Sequence, residues 1–317
     1  MNKRRFVMLG LAAIASWPMV SSIATAQAPA PAADPLIKEN TTVKISPHAY
    51  VIPDGGVGLV PNVGIIVGTK ATLVVDTGMG PRNGQTIVRE VAKVSKNADL
   101  YVVSTHYSPD HAGGEPGFPA SAKVIRARAQ QKDIDEFGQE DMKSFGARTP
   151  VTAELLKNAV YRRADELFDR EKVLDLGGVH ARIFWMANTH TRGETVTFIE
   201  EDRVLFSSNV TMQDRFLSLS SPYSSVRDWL TSLDQLDPLH PSKIVPAHGP
   251  LGDASMIKKD RAYLKDVQAR VHTLKAQGKS SDEAAKMVTA ELRAKYAEWT
   301  GAQGIAVAAK SAYVEDK

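Results

Sequence analysis

The chain has 317 residues, of which 43% are hydrophobic and 24% charged, so it can bury one large core or two modest ones. It contains no cysteine, which excludes disulfides and thiolate ligands and leaves His, Asp, Glu and neutral oxygens as the donors available to a metal site. The formal net charge of +3 falls to zero once residues 1–26 are removed, and without a basic patch the expected partner is a small molecule and not nucleic acid.

The N-terminus is predicted to be a secretory signal peptide covering residues 1–26. Three basic residues at 3–5 precede an apolar run at 6–20, and a small-residue stretch ends at Ala26, the expected cleavage site. The run of about 15 residues is shorter than the roughly 20 that span a bilayer, so no stable membrane anchor is expected after cleavage. The predicted location is therefore periplasmic or secreted, by either the general or the twin-arginine export route.

The mature chain is expected to begin with a flexible lead at 27–40, where Ala and Pro dominate. Apolar periodicity then predicts a first block of elements: strand, hairpin, helix and strand, at 43–51, 63–75, 82–96 and 100–103. This order contains a β-α-β unit.

A helical insertion at about 130–169 separates this block from a second one. The second block has predicted strands at 179–186, 195–199 and 204–207, a helix containing Trp229, and a strand at 243–245. Two successive blocks predict two αβ halves packed sheet to sheet with helices outside, in one domain over 41–252. From residue 253 to residue 317 the pattern predicts C-terminal helices.

Four of the eight histidines lie directly after predicted buried strands. His106 and His111 follow the strand at 100–103, and His190 and His248 follow two strands of the second block. Because loops at strand ends converge on ligands and metals, these four are candidate site residues. The other four are expected to be ordinary hydrogen-bonded residues: His48, His180, His240 and His272.

Asp110 and His111 present a carboxylate and an imidazole together at the start of a predicted helix. With a third donor from His248 they would give zinc three ligands and leave one position open for water. Water on zinc becomes a hydroxide nucleophile near neutral pH. These three residues therefore form the predicted metal site.

Four motifs occur in order along the chain: Val75-Asp76-Thr77-Gly78, the block from His106 to His111, Thr189-His190-Thr191-Arg192-Gly193-Glu194, and Pro246-Ala247-His248-Gly249. Their order resembles the metallo-β-lactamase superfamily over roughly residues 41–252, where the second motif is His-x-His-x-Asp-His and the third is Gly-His-Thr-Pro-Gly-Asp. The resemblance implies an αββα sandwich, here with a C-terminal helical extension, and hydrolysis of an ester, thioester, lactone, amide or phosphoester by one or two zinc ions. It also implies that His106 and His190 are metal ligands.

Two positions depart from the family pattern. Ser108 stands where the family has its second histidine, and Asn209 stands where many members have a bridging aspartate in a Gly-Asp pair, here Ser208-Asn209. Neutral oxygens are weak donors for zinc, so we predict one well-occupied zinc site and a second ion that is weak or absent. The expected ligands are Asp110, His111 and His248 for the first site and His106 and His190 for the second.

The leading hypothesis is an exported zinc-dependent hydrolase of a small ester, lactone or amide, with β-lactams among the candidates. Asp110 would orient the water as a metal ligand, and His106 or His190, if free of metal, would assist proton transfer. The main alternative is a catalytically degenerate binding protein of the same fold, motivated by Ser108 and Asn209. A third hypothesis, an oxidoreductase-type metal site, needs more His and carboxylate ligands than these motifs supply.

Overall fold

The computed structural model describes residues 33–316. The predicted signal peptide therefore lies outside the described residues. Within them, no helix combines the length and the apolar character that crossing a membrane requires.

Seven strands form the first sheet in chain order: β1 Val43–Lys44, β2 Ala49–Ile52, β3 Val63–Val67, β4 Ala71–Val75, β5 Asp99–Val103, β6 Lys123–Ala127 and β7 Glu166–Phe168. The pairs from β1 to β4 are antiparallel, and those from β4 to β7 are parallel. Parallel neighbours need crossover connections, and helices lie in all three of them. They are α1 Gly80–Val94, α2 Pro109–Ala112, α3 Arg128–Gly146 and α4 Pro150–Leu155.

Five strands form the second sheet: β8 Glu171–Asp175, β9 His180–Trp185, β10 Thr195–Ile199, β11 Val204–Ser208 and β12 Lys243–Pro246. Their order is β12-β11-β10-β9-β8, with only β11 and β12 parallel. The crossover between these two contains α5 Val226–Leu236. Three helices complete the described chain: α6 Ser255–Ala276, α7 Ser281–Lys295 and α8 Gln303–Glu315.

Successive residues of a buried strand face opposite layers, as the two-residue period of a strand requires. On β3, Ile65 packs toward α1, and Ile66 points into the core between the two sheets. Phe206 on β11 faces Ile66 from the second sheet in the same apolar cluster. A third cluster covers the outer face of the second sheet with α5 to α8. The architecture is therefore the predicted αββα sandwich with a C-terminal helical extension.

The predicted flexible lead is wrong for residues 33–40, which pack against α1. Ile37 is buried, and its N–H donates to Asn83 Oδ1 at 2.9 Å. The N–H of Asn40 donates to Glu90 Oε1, also at 2.9 Å. Composition missed this contact because two buried residues, Pro35 and Ile37, with a few hydrogen bonds can fix an extended segment that follows a stretch rich in Ala and Pro.

Two smaller predictions also need correction. The single strand expected at 43–51 is two strands, β1 and β2, which pair with each other so that Val43 lies opposite Val51. The C-terminal region contains a third helix, α8, which the apolar pattern had not indicated.

The C-terminal helices hold the loop that follows β11. Phe216 in this loop contacts Tyr263, Tyr296 and Trp299, with ring centroids 5.3, 6.1 and 5.4 Å away. Its backbone N–H donates to the carbonyl oxygen of Thr300 at 2.9 Å. The position of this loop thus depends on residues beyond the αββα core.

Candidate metal centre

Four imidazole rings form a row where the loops after β5, β9 and β12 meet. The order is His190, His106, His111 and His248, with neighbouring ring centroids 4.9, 4.0 and 5.1 Å apart. His106 and His111 are buried, and the two end members are partly exposed. The structure thus brings together the four histidines that the sequence places after strands.

The short helix α2 positions two of the candidate ligands, Asp110 and His111. Pro109 occupies its first position, where a missing N–H costs nothing because that group has no partner within a helix. The backbone N–H of Thr77 donates to the carbonyl oxygen of His111 at 2.8 Å, and the Thr77 hydroxyl donates to the same oxygen at 2.6 Å. The motif that follows β4 therefore fixes α2.

Asp110, His111 and His248 bring three ligand atoms within 4.8 Å of one another. The Nε2 atoms of His111 and His248 are 3.2 Å apart. Asp110 Oδ2 lies 3.6 Å from the first of these nitrogens and 3.8 Å from the second. The three residues predicted as the metal site therefore converge on one point.

Hydrogen bonds at the other ring nitrogens indicate the tautomer of each histidine. His248 Nδ1 lies 2.9 Å from the carbonyl oxygen of Val60, and because a carbonyl only accepts, this nitrogen carries the proton. His111 Nδ1 lies 3.0 Å from Asp76 Oδ2, the geometry of an imidazole N–H that donates to a carboxylate. Both Nε2 atoms then direct lone pairs at each other, an unfavourable arrangement that a cation between them relieves.

Asp110 supplies the third donor. Its Oδ1 is buried and has no hydrogen-bond partner within residues 33–316, which is costly for a carboxylate. Burial raises the pKa of Asp110 to about 7. Burial also lowers the pKa values of His111 and His248, and this favours the neutral imidazoles that bind metals. The residues present therefore fit a divalent metal ion.

Asp76 and Thr105 form a second layer behind His111. Asp76 is buried, and its Oδ1 accepts from the N–H of Thr105 at 2.7 Å and from the Thr105 hydroxyl at 2.9 Å. Burial raises the pKa of Asp76 to about 7, although both hydrogen bonds act in the opposite direction. A carboxylate behind a metal-binding histidine orients the ring and strengthens the donor. The sequence showed Asp76 only as part of a motif.

The predicted second site, around His106 and His190, has no comparable set of donors within residues 33–316. His106 Nδ1 lies 3.8 Å from Glu194 Oε1. That oxygen already accepts from the hydroxyl of Ser208 and, at 3.2 Å, from the N–H of Asn209. A buried hydrogen-bond network therefore engages the carboxylate nearest His106, and sequence reasoning had not singled out Glu194.

The row of histidines opens into a cavity of about 790 Å³ that is large enough for a small molecule. Ser108 and Asn209, the two departures from the family pattern, both line it. So do Arg148, between α3 and α4, and Arg215, in the loop after β11. Sequence reasoning missed both arginines because neither lies in a motif.

The other four histidines do not line this cavity. His180 belongs to a second group of possible metal donors, with Glu200 and Glu201. Both glutamates are exposed, and Glu201 already pairs with His180 at 2.6 Å. This group is an ordinary surface ion pair.

A family model described as the Metallo-beta-lactamase superfamily matches residues 56–248. The linear primary-alkylsulfatase of Pseudomonas sp. is 22% identical over 240 residues, which cover 66% of this chain and 45% of that protein. The lactamase-like protein aptB of Emericella nidulans is 27% identical over 218 residues, which cover 67% of this chain and 58% of that protein. The chain thus spans about half the length of these curated relatives.

Solved structures share the fold. A metallo-beta-lactamase from Pontibacter korlensis aligns with a TM-score of 0.56 at 17% identity, covering 71% of this chain and 98% of that one. The inverting sec-alkylsulfatase Pisa1 from Pseudomonas sp. aligns with a TM-score of 0.65 at 15% identity, covering 86% of this chain and 50% of that one. At such identities the likeness concerns the fold alone.

Proposed function

Because the chain belongs to the metallo-beta-lactamase superfamily, whose members are generally hydrolases, we propose that it is a zinc-dependent hydrolase of a small ester, lactone or amide. One observation carries this proposal. The donors of Asp110, His111 and His248 converge, with two imidazole lone pairs facing each other beside Asp110 Oδ2. The other oxygen of that carboxylate, Oδ1, has no hydrogen-bond partner within residues 33–316.

A zinc ion bound there would supply a water molecule acidic enough to act as hydroxide near neutral pH. Asp110 Oδ1 is free to accept a hydrogen bond from that water and orient it. His106 or His190, the imidazoles next in the row, would assist proton transfer if free of metal. The cavity beside the row would hold the substrate.

We propose a single zinc ion per chain. Ser108 and Asn209 offer neutral oxygens where the family pattern has a histidine and an aspartate, and such oxygens bind zinc weakly. The carboxylate of Glu194 is engaged by Ser208 and Asn209. Any second ion at His106 would have to compete with these hydrogen bonds.

The second candidate function is a non-catalytic binding protein of the same fold. The Glu194 network favours it, because a site that has lost ligands and gained internal hydrogen bonds keeps its shape without a metal ion. Both candidates use the same cavity, but only the hydrolase requires metal-bound water. The oxidoreductase-type hypothesis gains no support, since the described residues near the row contain no further group of three metal donors.

We also propose that the protein acts in the periplasm or is secreted, because residues 1–26 have the features of a signal peptide. N-terminal sequencing of protein recovered from the periplasmic fraction or the medium should give a chain that begins at Gln27. Recovery of an uncleaved chain from the cytoplasm would contradict this location.

Elemental analysis of mature protein, purified without chelator or added metal, tests the metal site. We expect about one zinc per chain, retained in the control His180→Ala and lost in His248→Ala. A substrate panel then follows: esters, lactones, β-lactams and, because two of the similar proteins are alkylsulfatases, sulfate esters. A folded protein without zinc and without activity would overturn the hydrolase proposal and favour the binding protein.

A further inference from the structure

Two arginines line the cavity without a salt-bridge partner among residues 33–316. Arg148 and Arg215 line the same cavity as the histidine row, and neither guanidinium forms a salt bridge or a hydrogen bond with any residue from 33 to 316. Other arginines of this chain do pair: Arg192 with Asp133 at 2.9 Å, and Arg261 with a carboxylate at 2.6 Å. Both arginines are exposed at the cavity, so their N–H donors face solvent and are available to a ligand.

Both side chains start from segments that are held in place. The guanidinium carbon of Arg148 lies 3.5 Å from the centroid of the Phe145 ring, a stacking contact that restricts the side chain. The backbone of Arg215 bridges to Thr300, and the next residue, Phe216, donates its N–H to the Thr300 carbonyl oxygen at 2.9 Å. Cations positioned in advance lose less entropy when a ligand binds.

Two of the three carboxylates of the cavity are engaged by other groups. Asp54 accepts from the N–H of Gly56 at 2.9 Å and from the N–H of Gly249 at 2.7 Å. Asp110 belongs to the proposed metal site. Burial raises the pKa of the third, Asp141, and the positive charge of Arg148 acts in the opposite direction. With a divalent ion bound there, the charge lining the cavity becomes net positive, which favours an anionic ligand.

Part of the cavity lining is apolar. Leu59 lines it with a φ of 63°, a left-handed conformation that costs a non-glycine residue about 1 kcal/mol or more. That backbone is held in part by Val60, whose carbonyl oxygen accepts from His248. The other apolar members are Val57, Phe145, Met212 and Phe216.

We propose that Arg148 and Arg215 bind the oxyanion group of an amphiphilic substrate, whose hydrocarbon part lies on the apolar lining. The substrate class is then an ester bearing a sulfate, phosphate or carboxylate group. Guanidinium groups suit these oxyanions because their planar fork offers paired N–H donors. The inference rests on the proposed function, whose cavity and metal site it uses, and adds the chemistry of the substrate.

Isothermal titration calorimetry on the mature, zinc-loaded protein tests this inference without relying on turnover. The probes are octane-1-sulfonate, octanoate, ethane-1-sulfonate and octan-1-ol, at constant ionic strength. We expect at least one of the two eight-carbon anions to bind with a Kd about tenfold or more below those of the alcohol and of the short sulfonate. The alcohol lacks the charged hydrogen bonds, and the short sulfonate lacks most of the apolar contact. The anion that binds more tightly identifies the preferred oxyanion.

Two double variants with the same change in charge separate the specific effect from a general one. Arg148→Gln/Arg215→Gln should weaken anion binding about tenfold or more. Arg170→Gln/Arg293→Gln, which removes two exposed arginines outside the cavity, should leave it unchanged. Thermal unfolding of each variant checks folding, and Arg148→Gln alone replaces the first double variant if that variant does not fold.

Equal anion binding by both double variants, or equal binding of alcohol and anions by the wild type, would overturn the inference. Either result would do so even in a protein that binds zinc and hydrolyses neutral esters. Conversely, anion binding that depends on Arg148 and Arg215 in a protein without zinc would support the inference and contradict the hydrolase proposal. The two proposals can therefore fail separately.

Discussion

His111 and His248 face each other through Nε2 atoms that are 3.2 Å apart, and the Nδ1 of each ring lies within hydrogen-bonding distance of another acceptor. Neither ring can turn away without breaking that hydrogen bond. The fold therefore imposes a repulsive contact that a bound cation turns into a favourable one. Any ion that binds the native state and not the unfolded chain adds to stability.

Removing the metal should destabilise the protein measurably. At a zinc concentration about a thousand times the Kd, binding stabilises the native state by about 4 kcal/mol, and a chelator removes this contribution. We expect the Tm of the zinc-loaded protein to fall on chelation, and that of His248→Ala to be insensitive to chelator. Equal responses of the two proteins in a thermal unfolding assay would argue against a zinc site at His248.

Asp76→Asn should weaken zinc binding without removing a ligand. The carboxylate that orients His111 becomes a neutral amide, and loss of such a partner typically lowers metal affinity about 10–100-fold. The matched control is Asp202→Asn, because Asp202 is also shielded and accepts from a histidine, His48, at 2.8 Å, away from the cavity. Competition with a coloured zinc chelator measures both affinities, and similar losses in the two variants would contradict a role specific to Asp76.

Ser108→His/Asn209→Asp should restore a second metal site. The Ser108 side chain makes no capping hydrogen bond, and both positions line the cavity beside His106 and His190, so the new side chains can point toward those rings. We expect elemental analysis to give about two zinc ions per chain instead of one. The control Asn209→Asp should keep one zinc ion per chain. If the double variant also binds only one zinc ion, the Glu194 network, and not the missing ligands, excludes the second ion.

Asp260→Asn should stabilise the protein at neutral pH. Asp260 is fully buried, accepts from the N–H of Met212 at 2.9 Å, and leaves its Oδ1 without a partner within residues 33–316. Burial raises the pKa of Asp260 well above its ordinary value, and the negative charge of Asp214 raises it further. The hydrogen bond from Met212 and the positive charge of Lys259 act in the opposite direction. The gain should be about 1–3 kcal/mol, because the buried carboxyl group must bind a proton when the chain folds at neutral pH and an amide needs none.

The sign of the pH dependence follows from the raised pKa. The unfolded chain releases the Asp260 proton near pH 4 and the native state keeps it, so the native state loses stability as pH rises above about 4. An amide does not titrate. The gain in free energy of unfolding of Asp260→Asn over the wild type, measured by denaturant unfolding, should therefore be larger at pH 7 than at pH 4. A gain independent of pH would show that Asp260 does not titrate in this way.

Much of the site was predictable because motifs next to strand ends are local. His106, His111 and His248 each follow a buried strand that apolar periodicity identifies, and the fold brings those strand ends together. The role of Asp76 was only partly visible, since a motif match does not say which histidine a carboxylate contacts. The contact with His111 links residues 35 positions apart.

Other features left no local signal. Ile37 lies in a segment whose composition predicts flexibility, yet it is buried against α1. Glu194 reads as a motif residue, but its partners are Ser208 and Asn209 on a different strand and loop. In each case the deciding contact is between residues distant in sequence.

The order of strands, helices and motif histidines follows from patterns within short windows of the chain, because apolar periodicity and turn chemistry act locally. Those patterns fix the sandwich and the edge where the histidines gather. The hydrogen bonds that set the imidazole tautomers, and the placement of Arg148 and Arg215 in one cavity, depend on contacts across the fold. Arg148 and Arg215 come to share that cavity only when the insertion after β6 and the C-terminal region pack on the sandwich, since packing determines which distant side chains share a cavity.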